Sequence, residues 1–418
     1  MAIDREKFIL REHCHIDSNE NGDRFVGVKA DDSNAMIYFP VGYQLPENDD
    51  ELRSDIKNLF YILAAFTDKT DRVLHMDNFT KPQIVDFPIQ AYLNVINYYL
   101  DRNGFYYTES EVIYKINNRG KINWSKTIKK IPPIIQGNSM IYLNTVVREN
   151  SPNINKLITL IHKYCVSESF ERIGWIYTTN SPEKAYAPAD KNTMIAILND
   201  RKSKTNNDRD KMLFSSMIAM LEFMDKQTTD KKFYFGTDKF ESVWEKLIDI
   251  VFGEPNKSDY FPHGVWTERF GNDKGKSASA LEPDSIMIYK GKYYVLDAKY
   301  YRYGTHSDYG TRVLPQSSDI NKQITYGRYV KQKKTPKGAS VYNAFIIPYN
   351  RENNLFTLNG VFENVAEAVG DWIESPETYE RIQGIVVDTK YLLKNFLGDH
   401  EFDKSLLAEK IEKYFDDN

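Results

Sequence analysis

Cysteine is almost absent from this chain: Cys14 and Cys165 are the only two in 418 residues. That leaves no material for a disulfide framework or a cysteine-built zinc cluster. No apolar core follows the opening MAIDREKFILREHC, and the longest apolar run near it, Leu59–Phe66, is too short to span a bilayer. The chain therefore reads as cytoplasmic, with no membrane partner. It has no strong charge of either sign. A formal net charge of −4 argues against nucleic-acid binding over the whole surface and confines any such binding to local patches. The phosphate-binding pattern G-x-x-x-x-G-K-[ST] does not occur, so nucleotide hydrolysis is not expected of this chain. The seven histidines form no ligand set. In the tempting triplet His13-Cys14-His15, strand alternation puts Cys14 on the opposite face. Internal repeats and low-complexity tracts are also missing.

What remains is an ordinary globular composition, 41% apolar and 27% charged, over a length that suggests two or three domains. The segment to about residue 150 mixes strands and helices. Ala35–Pro46 reads as a strand ended by turn residues. Ile89–Gly104 reads as a helix with Ala91, Val95, Tyr98 and Tyr99 on one face and Gly104 as its stop. Asn118-Arg119-Gly120 looks like a hairpin turn. Around it lie six basic residues from Lys115 to Lys130, including Arg119, Lys121 and Lys126, with Trp124 among them and no acidic residue. This is either a finger for phosphates or an acidic protein groove, or simply a solvated tip. Residues 151–230 read as a helical connecting region. Within it the polar stretch Asn199–Lys211 reads as an exposed loop, and Met212, Met217, Met220 and Met224 read as core filler.

The segment from 231 onward carries the chemistry. In TDKFESVWEKLIDIVFG, Asp238 and Glu241 suggest a capping box, and Gly253 a helix end. Phe240, Val243, Trp244, Leu247 and Val251 make one apolar stripe, with Glu241 and Glu245 a turn apart at its edge. Such glutamates are also routine on surface helices.

PDSIMIYKGKYYVLDAK, Pro283–Lys299, reads as two strands joined at Lys290-Gly291. A two-residue loop sets Tyr289 opposite Lys292, Ile286 opposite Val295 and, by the same count, Asp284 opposite Asp297. Directly opposed carboxylates, with Cβ atoms roughly 5 Å apart, repel unless neutralised. Mg2+ is the natural counter-charge, because it takes oxygen ligands and needs only one or two carboxylates beside water and phosphate oxygens. Lys299, two residues past Asp297, shares its face, where an ammonium orients water or stabilises phosphate charge. The other face carries Met287, Tyr294, Leu296 and Ala298. Asp-x-Lys alone is a weak pattern, and a one-residue slip in the turn would undo the pairing. A second copy, Asp388-x-Lys390, lacks an acidic partner strand and ranks below the first.

From the hairpin turn onward, Lys290 to Lys337, the chain is basic and tyrosine-rich. Lys292, Arg302, Arg312, Lys322, Tyr326 and Arg328 are the candidate DNA-backbone contacts there. Gln323 and Tyr326, on a helical stretch, could face either a metal or a DNA base, and equally could be ordinary helix residues.

Pro283-Asp284…Asp297-Ala298-Lys299, preceded by a glutamate-bearing helix, resembles the signature of PD-(D/E)XK nucleases. More narrowly the chain resembles LlaJI-type restriction endonucleases, relatives of McrC, through YFPVGY, GKINWSKTI, HKYCVSES, FESVWEKL and DINKQITYGRY. The resemblance implies an α+β N-terminal region (1–150) for partner docking or DNA binding, a helical connector (151–230), and an α/β restriction-endonuclease-like domain (231–418) with a mixed central sheet flanked by helices. It implies a Mg2+-dependent endonuclease subunit of a restriction system, acting on double-stranded DNA with an McrB-like AAA+ GTPase ring. Arg119, Lys121, Trp124 and Lys126 would form the docking element. Asp284, Asp297 and the Ala298 carbonyl would hold the metal, Lys299 would orient the attacking water, and Glu245, Glu241 and Gln323 would complete the site. Aspartate at 297, where many members have glutamate, is a tolerated departure. Two copies or two engagements would be needed for a double-strand break. The competing readings are a stand-alone homodimeric type II enzyme and a catalytically silent activator of a motor GTPase.

Overall fold

The computed structural model describes residues 9–16, 25–30, 35–66, 87–117, 119–178, 181–226, 233–267, 269–270, 274–303 and 314–415. Its mixture of helices and several sheets is an α+β fold.

The N-terminal part opens with β1 (Cys14–Ile16), β2 (Val26–Ala30) and β3 (Ala35–Phe39), followed by α1 (Asp49–Phe66) and α2 (Ile89–Asp101). A projecting unit comes next: β4 (Glu109–Asn117), β5 (Lys121–Ile122), α3 (Trp124–Lys130), β6 (Ile134–Gln136), β7 (Ser139–Ile141) and β8 (Thr145–Asn153). Then come α4 (Leu157–Ile173), α5 (Lys191–Lys204), α6 (Asp208–Lys226), β9 (Phe233–Thr237), α7 (Phe240–Phe252), β10 (His263–Thr267) and β11 (Lys274–Ala280). The last stretch holds β12 (Ser285–Tyr289), β13 (Lys292–Ala298), α8 (Ser317–Tyr329), β14 (Val341–Tyr349), β15 (Phe362–Ala368), β16 (Ile382–Asp388), α9 (Thr389–Asn395) and α10 (Glu401–Glu412).

The first sheet runs β1-β3-β2-β9, so a strand from residues 233–237 completes the N-terminal sheet. The sheet that carries the candidate site runs β12-β13-β14-β16-β15. Its inner strands β13, β14 and β16 are parallel, and β12 and β15 are antiparallel edges. Near-continuous burial of β14 and β16 follows from cover on both faces. On one face Met287, Tyr294, Leu296, Ala298 and Ile346 join a core shared with α7, α1 and the N-terminal sheet. On the other, Ile286, Val295 and Val341 pack against Tyr326 of α8. The α7 stripe predicted above is buried as a set. At about 1.5–3 kcal/mol for each large apolar side chain, it is what clamps that helix to the sheet.

Three local expectations are corrected. Lys239 is the N-cap of α7 and has no side-chain cap bond, so the Asp238–Glu241 capping box does not form. Arg119 and Gly120 do not close a simple hairpin, because β4 and β5 both pair with β8, which lies between them; residue 118 lies outside the described residues. Asn199–Lys211 is mostly helix. Asp190 caps α5, the Asp200–Lys204 ion pair braces its last turn, and the Asn207 side chain accepts from Arg209 and Asp210 N–H groups at the start of α6. Polar i,i+4 pairing holds a helix that hydrophobic periodicity does not announce. Met217 and Met220 are fully buried, as core filler should be. No helix among the described residues is long and apolar enough to cross a membrane.

Candidate active site

The hairpin forms in the expected register, with Tyr289 opposite Lys292, Ile286 opposite Val295 and Ser285 opposite Leu296. Both turn residues are left-handed, Lys290 at φ 48° and Gly291 at φ 74°, as a type I′ turn requires. One further step of that register puts Asp284 opposite Asp297. Asp284 is locked there because its Oδ2 accepts the Ala298 N–H at 2.8 Å.

Lys299 projects on the Asp297 side. Its Nζ lies 2.6 Å from Asp297 Oδ2 and 3.3 Å from Asp319 Oδ1. Its backbone N–H donates to the Ile346 carbonyl at 2.8 Å, and the same carbonyl accepts the Trp244 indole N–H at 3.1 Å. The buried tryptophan of α7 thus fixes the strand end from which the lysine departs. Across the sheet, α8 approaches β14 closely at Gly327, where a Cβ would lie 2.5 Å from the Asn343 amide. That approach brings Asp319, Lys322 and Tyr326 to the site.

The electrostatics are those of a crowded acidic pocket. Burial, Asp297 and Glu245 push Asp284 up to about 7, against the pull of the Ala298 N–H and Lys299. Asp297, 5% exposed, is raised by burial, with Lys299 and Lys322 opposing. Glu245 is raised by burial and by Asp297, Lys299 partly offsetting. For Lys299 burial works against the charge, but Asp297 and Asp319 outweigh it and hold the ammonium above its ordinary value. Burial and pairing therefore pull Asp297 in opposite directions. A charged ammonium at 2.6 Å favours the ionised carboxylate, and we treat the two as a buried salt bridge.

The structure thus gathers Asp284, Asp297, Ala298, Lys299 and Glu245. Glu241 lies a turn before Glu245, and its Oε2 is buried without a hydrogen-bond partner. Gln323 is 1% exposed; its Nε2 donates to the Val295 carbonyl, while its Oε1 has no partner. Tyr326 is core, its hydroxyl donating to the Glu282 carbonyl at 3.2 Å. Lys322 bonds to Tyr326 and feels the field of Asp297, so it belongs to the pocket. Lys292 stands at the turn end of β13, about 16 Å from Asp297 at 3.3 Å per residue, and is ion-paired with Glu412 of α10. Arg328 pairs with buried Glu380 at 3.1 Å. Arg302 is half-buried just past Lys299, and Arg312 lies outside the described residues. In the projecting unit Arg119, Lys121 and Trp124 are exposed, and Lys126 Nζ sits 3.1 Å from the centre of the Tyr114 ring. Asp388 is no rival centre. It caps α9 by accepting the Tyr391 N–H at 2.6 Å, while Lys390 pairs with Glu51 and Asp55.

Sequence reasoning missed Asp319. Its other carboxylate oxygen closes the capping box of α8 with Gln316, and an aspartate three residues into a helix reads as a cap and nothing more.

Among the described residues no three His, Cys, Asp or Glu converge as a metal-holding group. Two repelling carboxylates beside a backbone carbonyl suit an oxygen-seeking ion that completes its shell with water and substrate oxygens, as Mg2+ does. They suit zinc less well, since it favours His and Cys donors and neither stands among these residues.

Fold and site together define an α+β protein with a lysine-bearing carboxylate pocket at one end of a mixed sheet. The chain belongs to the LlaJI restriction endonuclease family, whose model matches residues 25–369. It is 27% identical over 296 residues to the type II restriction enzyme BsuMI component YdjA of Bacillus subtilis (strain 168), a match covering 66% of this chain and 62% of that protein's length. It is also similar, at 14% identity and a TM-score of 0.38, to a chain of the half-complex from the tetradecameric assembly of Thermococcus gammatolerans McrB AAA+ hexamers with bound McrC. That match covers 93% of this chain and 83% of the other, a likeness too distant to bear on function.

Proposed function

We propose that this chain is the Mg2+-dependent DNA endonuclease subunit of a host-defence restriction system. Residues 231–418 would act as a PD-(D/E)XK nuclease, and an McrB-like AAA+ GTPase would supply the motor. The observation that carries the reading is the meeting of Asp284 and Asp297 across a type I′ hairpin, with Lys299 held 2.6 Å from Asp297. Membership of a restriction endonuclease family supports it, and the related YdjA is itself one component of a restriction enzyme.

Asp284, Asp297 and the Ala298 carbonyl would hold the ion, with Glu245 or Glu241 reaching it through water; when bound, it supplies Lewis-acid stabilisation of charge on the phosphate. Lys299 stays protonated at neutral pH, so it acts as a hydrogen-bond donor and not as the base. Of its three N–H groups, two point to Asp297 and Asp319, leaving one to orient the attacking water or a phosphate oxygen. Lys322, on the same pocket, adds positive charge for the incoming backbone. The exposed Arg119, Lys121 and Trp124, with half-buried Lys126, would dock the motor, residues 151–230 would connect it to the nuclease, and the system would work in the cytoplasm.

The test is cleavage of a supercoiled plasmid by the chain with its AAA+ partner, GTP and Mg2+. Asp284→Ala and Lys299→Ala should each abolish cutting while partner binding persists. Full cutting by both variants would reject the site.

A further inference from the structure

Among the described residues the ribbon β10–β11 forms a sheet of its own, its two strands pairing with each other and with no other strand. All five residues of β10 are exposed; Val265 is 70%, Trp266 73% and nearby Phe270 102% exposed. Consecutive strand residues project on opposite faces, so Val265 and Trp266 present apolar surface on both sides of the ribbon. An uncovered apolar ribbon is a liability unless something covers it.

Both roots of the ribbon are tied to the loop that carries Asp284. On the incoming side Lys257 Nζ donates to the Asp284 carbonyl at 2.7 Å and meets Asp249 Oδ2 at 2.7 Å. On the outgoing side the Tyr326 hydroxyl holds the Glu282 carbonyl, and Leu281 N–H closes onto the Pro262 carbonyl at 2.9 Å. At about 3.3 Å per residue, the seven residues of β11 reach roughly 20 Å from that root. A duplex rises about 3.4 Å per step, so a ribbon of that length matches some six base pairs. The sequence of the ribbon carries Arg269, Lys274 and Lys276 against Glu268 and Asp273, a small net positive charge.

We propose that β10–β11 is a DNA-gripping arm that enters the major groove of the duplex flanking the scissile phosphate, with Trp266 and Phe270 as its contacts. A groove about 12 Å wide admits a two-stranded ribbon and walls it on both sides, which a flat protein surface does not. Exposed Arg269 then meets the phosphates at the rim. This rests on the nuclease reading above.

The experiment uses the full chain carrying Lys299→Ala, so that DNA survives, and a 60-base-pair duplex of mixed sequence. Trp266→Ala with Phe270→Ala should weaken binding at least tenfold with the melting temperature unchanged. Separately, p-benzoylphenylalanine in place of Phe270, a fully exposed position, should photo-crosslink to the DNA. Unchanged affinity, or a crosslink to a second copy of the chain or to the AAA+ partner instead of DNA, overturns the arm. The plasmid assay decides the nuclease reading independently, so cutting by the parent chain together with a silent arm sinks the arm alone.

Discussion

Removing the charge of Asp284 should stabilise the protein, because burial and the neighbouring carboxylates Asp297 and Glu245 together outweigh Lys299 and the Ala298 N–H in opposing its ionised form. Burial, Asp297 and Glu245 move this carboxyl from 3.8 to about 7. An acid whose folded-state value is raised binds more protons folded than unfolded, so stability falls as pH rises from about 4 to about 7 and stays reduced above that. The difference of about 3 between 3.8 and 7, at about 1.4 kcal/mol each, sets a ceiling of about 4 kcal/mol. The repulsion is shared with Asp297, so about 2 kcal/mol is the expected gain from one neutral substitution. Asp284→Asn is the right change because its amide oxygen still accepts the Ala298 N–H, leaving charge as the difference. In EDTA at pH 8 the variant should melt a few degrees above the parent, with roughly half that gain at pH 5.5. Adding Mg2+ at pH 8 should raise the parent and leave the variant nearly unmoved. A variant that melts at or below the parent at pH 8, or gains equally at both pH values, refutes the reasoning.

Trp244→Phe deletes the indole bond to the Ile346 carbonyl, which also holds the Lys299 backbone; we expect a loss of about 1–2 kcal/mol and a several-fold slower cleavage, read by melting and plasmid nicking. Asp388→Ala removes the cap of α9 and should cost about 1 kcal/mol with cleavage intact, which separates this second Asp-x-Lys from the first. Arg119→Glu combined with Lys121→Glu and Trp124→Ala, all exposed, should abolish binding of the proposed AAA+ partner, read by co-purification, while leaving the melting temperature unchanged.

The hairpin was legible because its information is local. A two-residue loop that tolerates positive φ fixes the register, and period two then fixes which side chains share a face. The α7 stripe was legible for the same reason, since 3.6-residue periodicity survives without knowledge of neighbours. Asp319 was hidden by doing two jobs, one carboxylate oxygen capping α8 and the other facing Lys299. The strand partners were hidden because pairing is not local. Nothing in Lys121–Ile122 says that β8 will come between it and β4, and nothing in Phe233–Thr237 says that it will close a sheet begun some two hundred residues earlier.

That distant closure bears on how the site is held. Tyr300 follows Lys299 directly, and its hydroxyl accepts the Val41 N–H at 2.7 Å from the loop after β3. The Val41 carbonyl in turn accepts the Thr389 hydroxyl at 2.9 Å, at the start of α9. Gly42 sits between these anchors at φ 76°, where a Cβ would press within 2.9 Å of the Tyr349 backbone, so no larger residue fits. The loop after β3 is therefore tied by hydrogen bonds to the chain that leaves Lys299 and to the start of α9, so the N-terminal part helps to hold the strand end on which the candidate site is built.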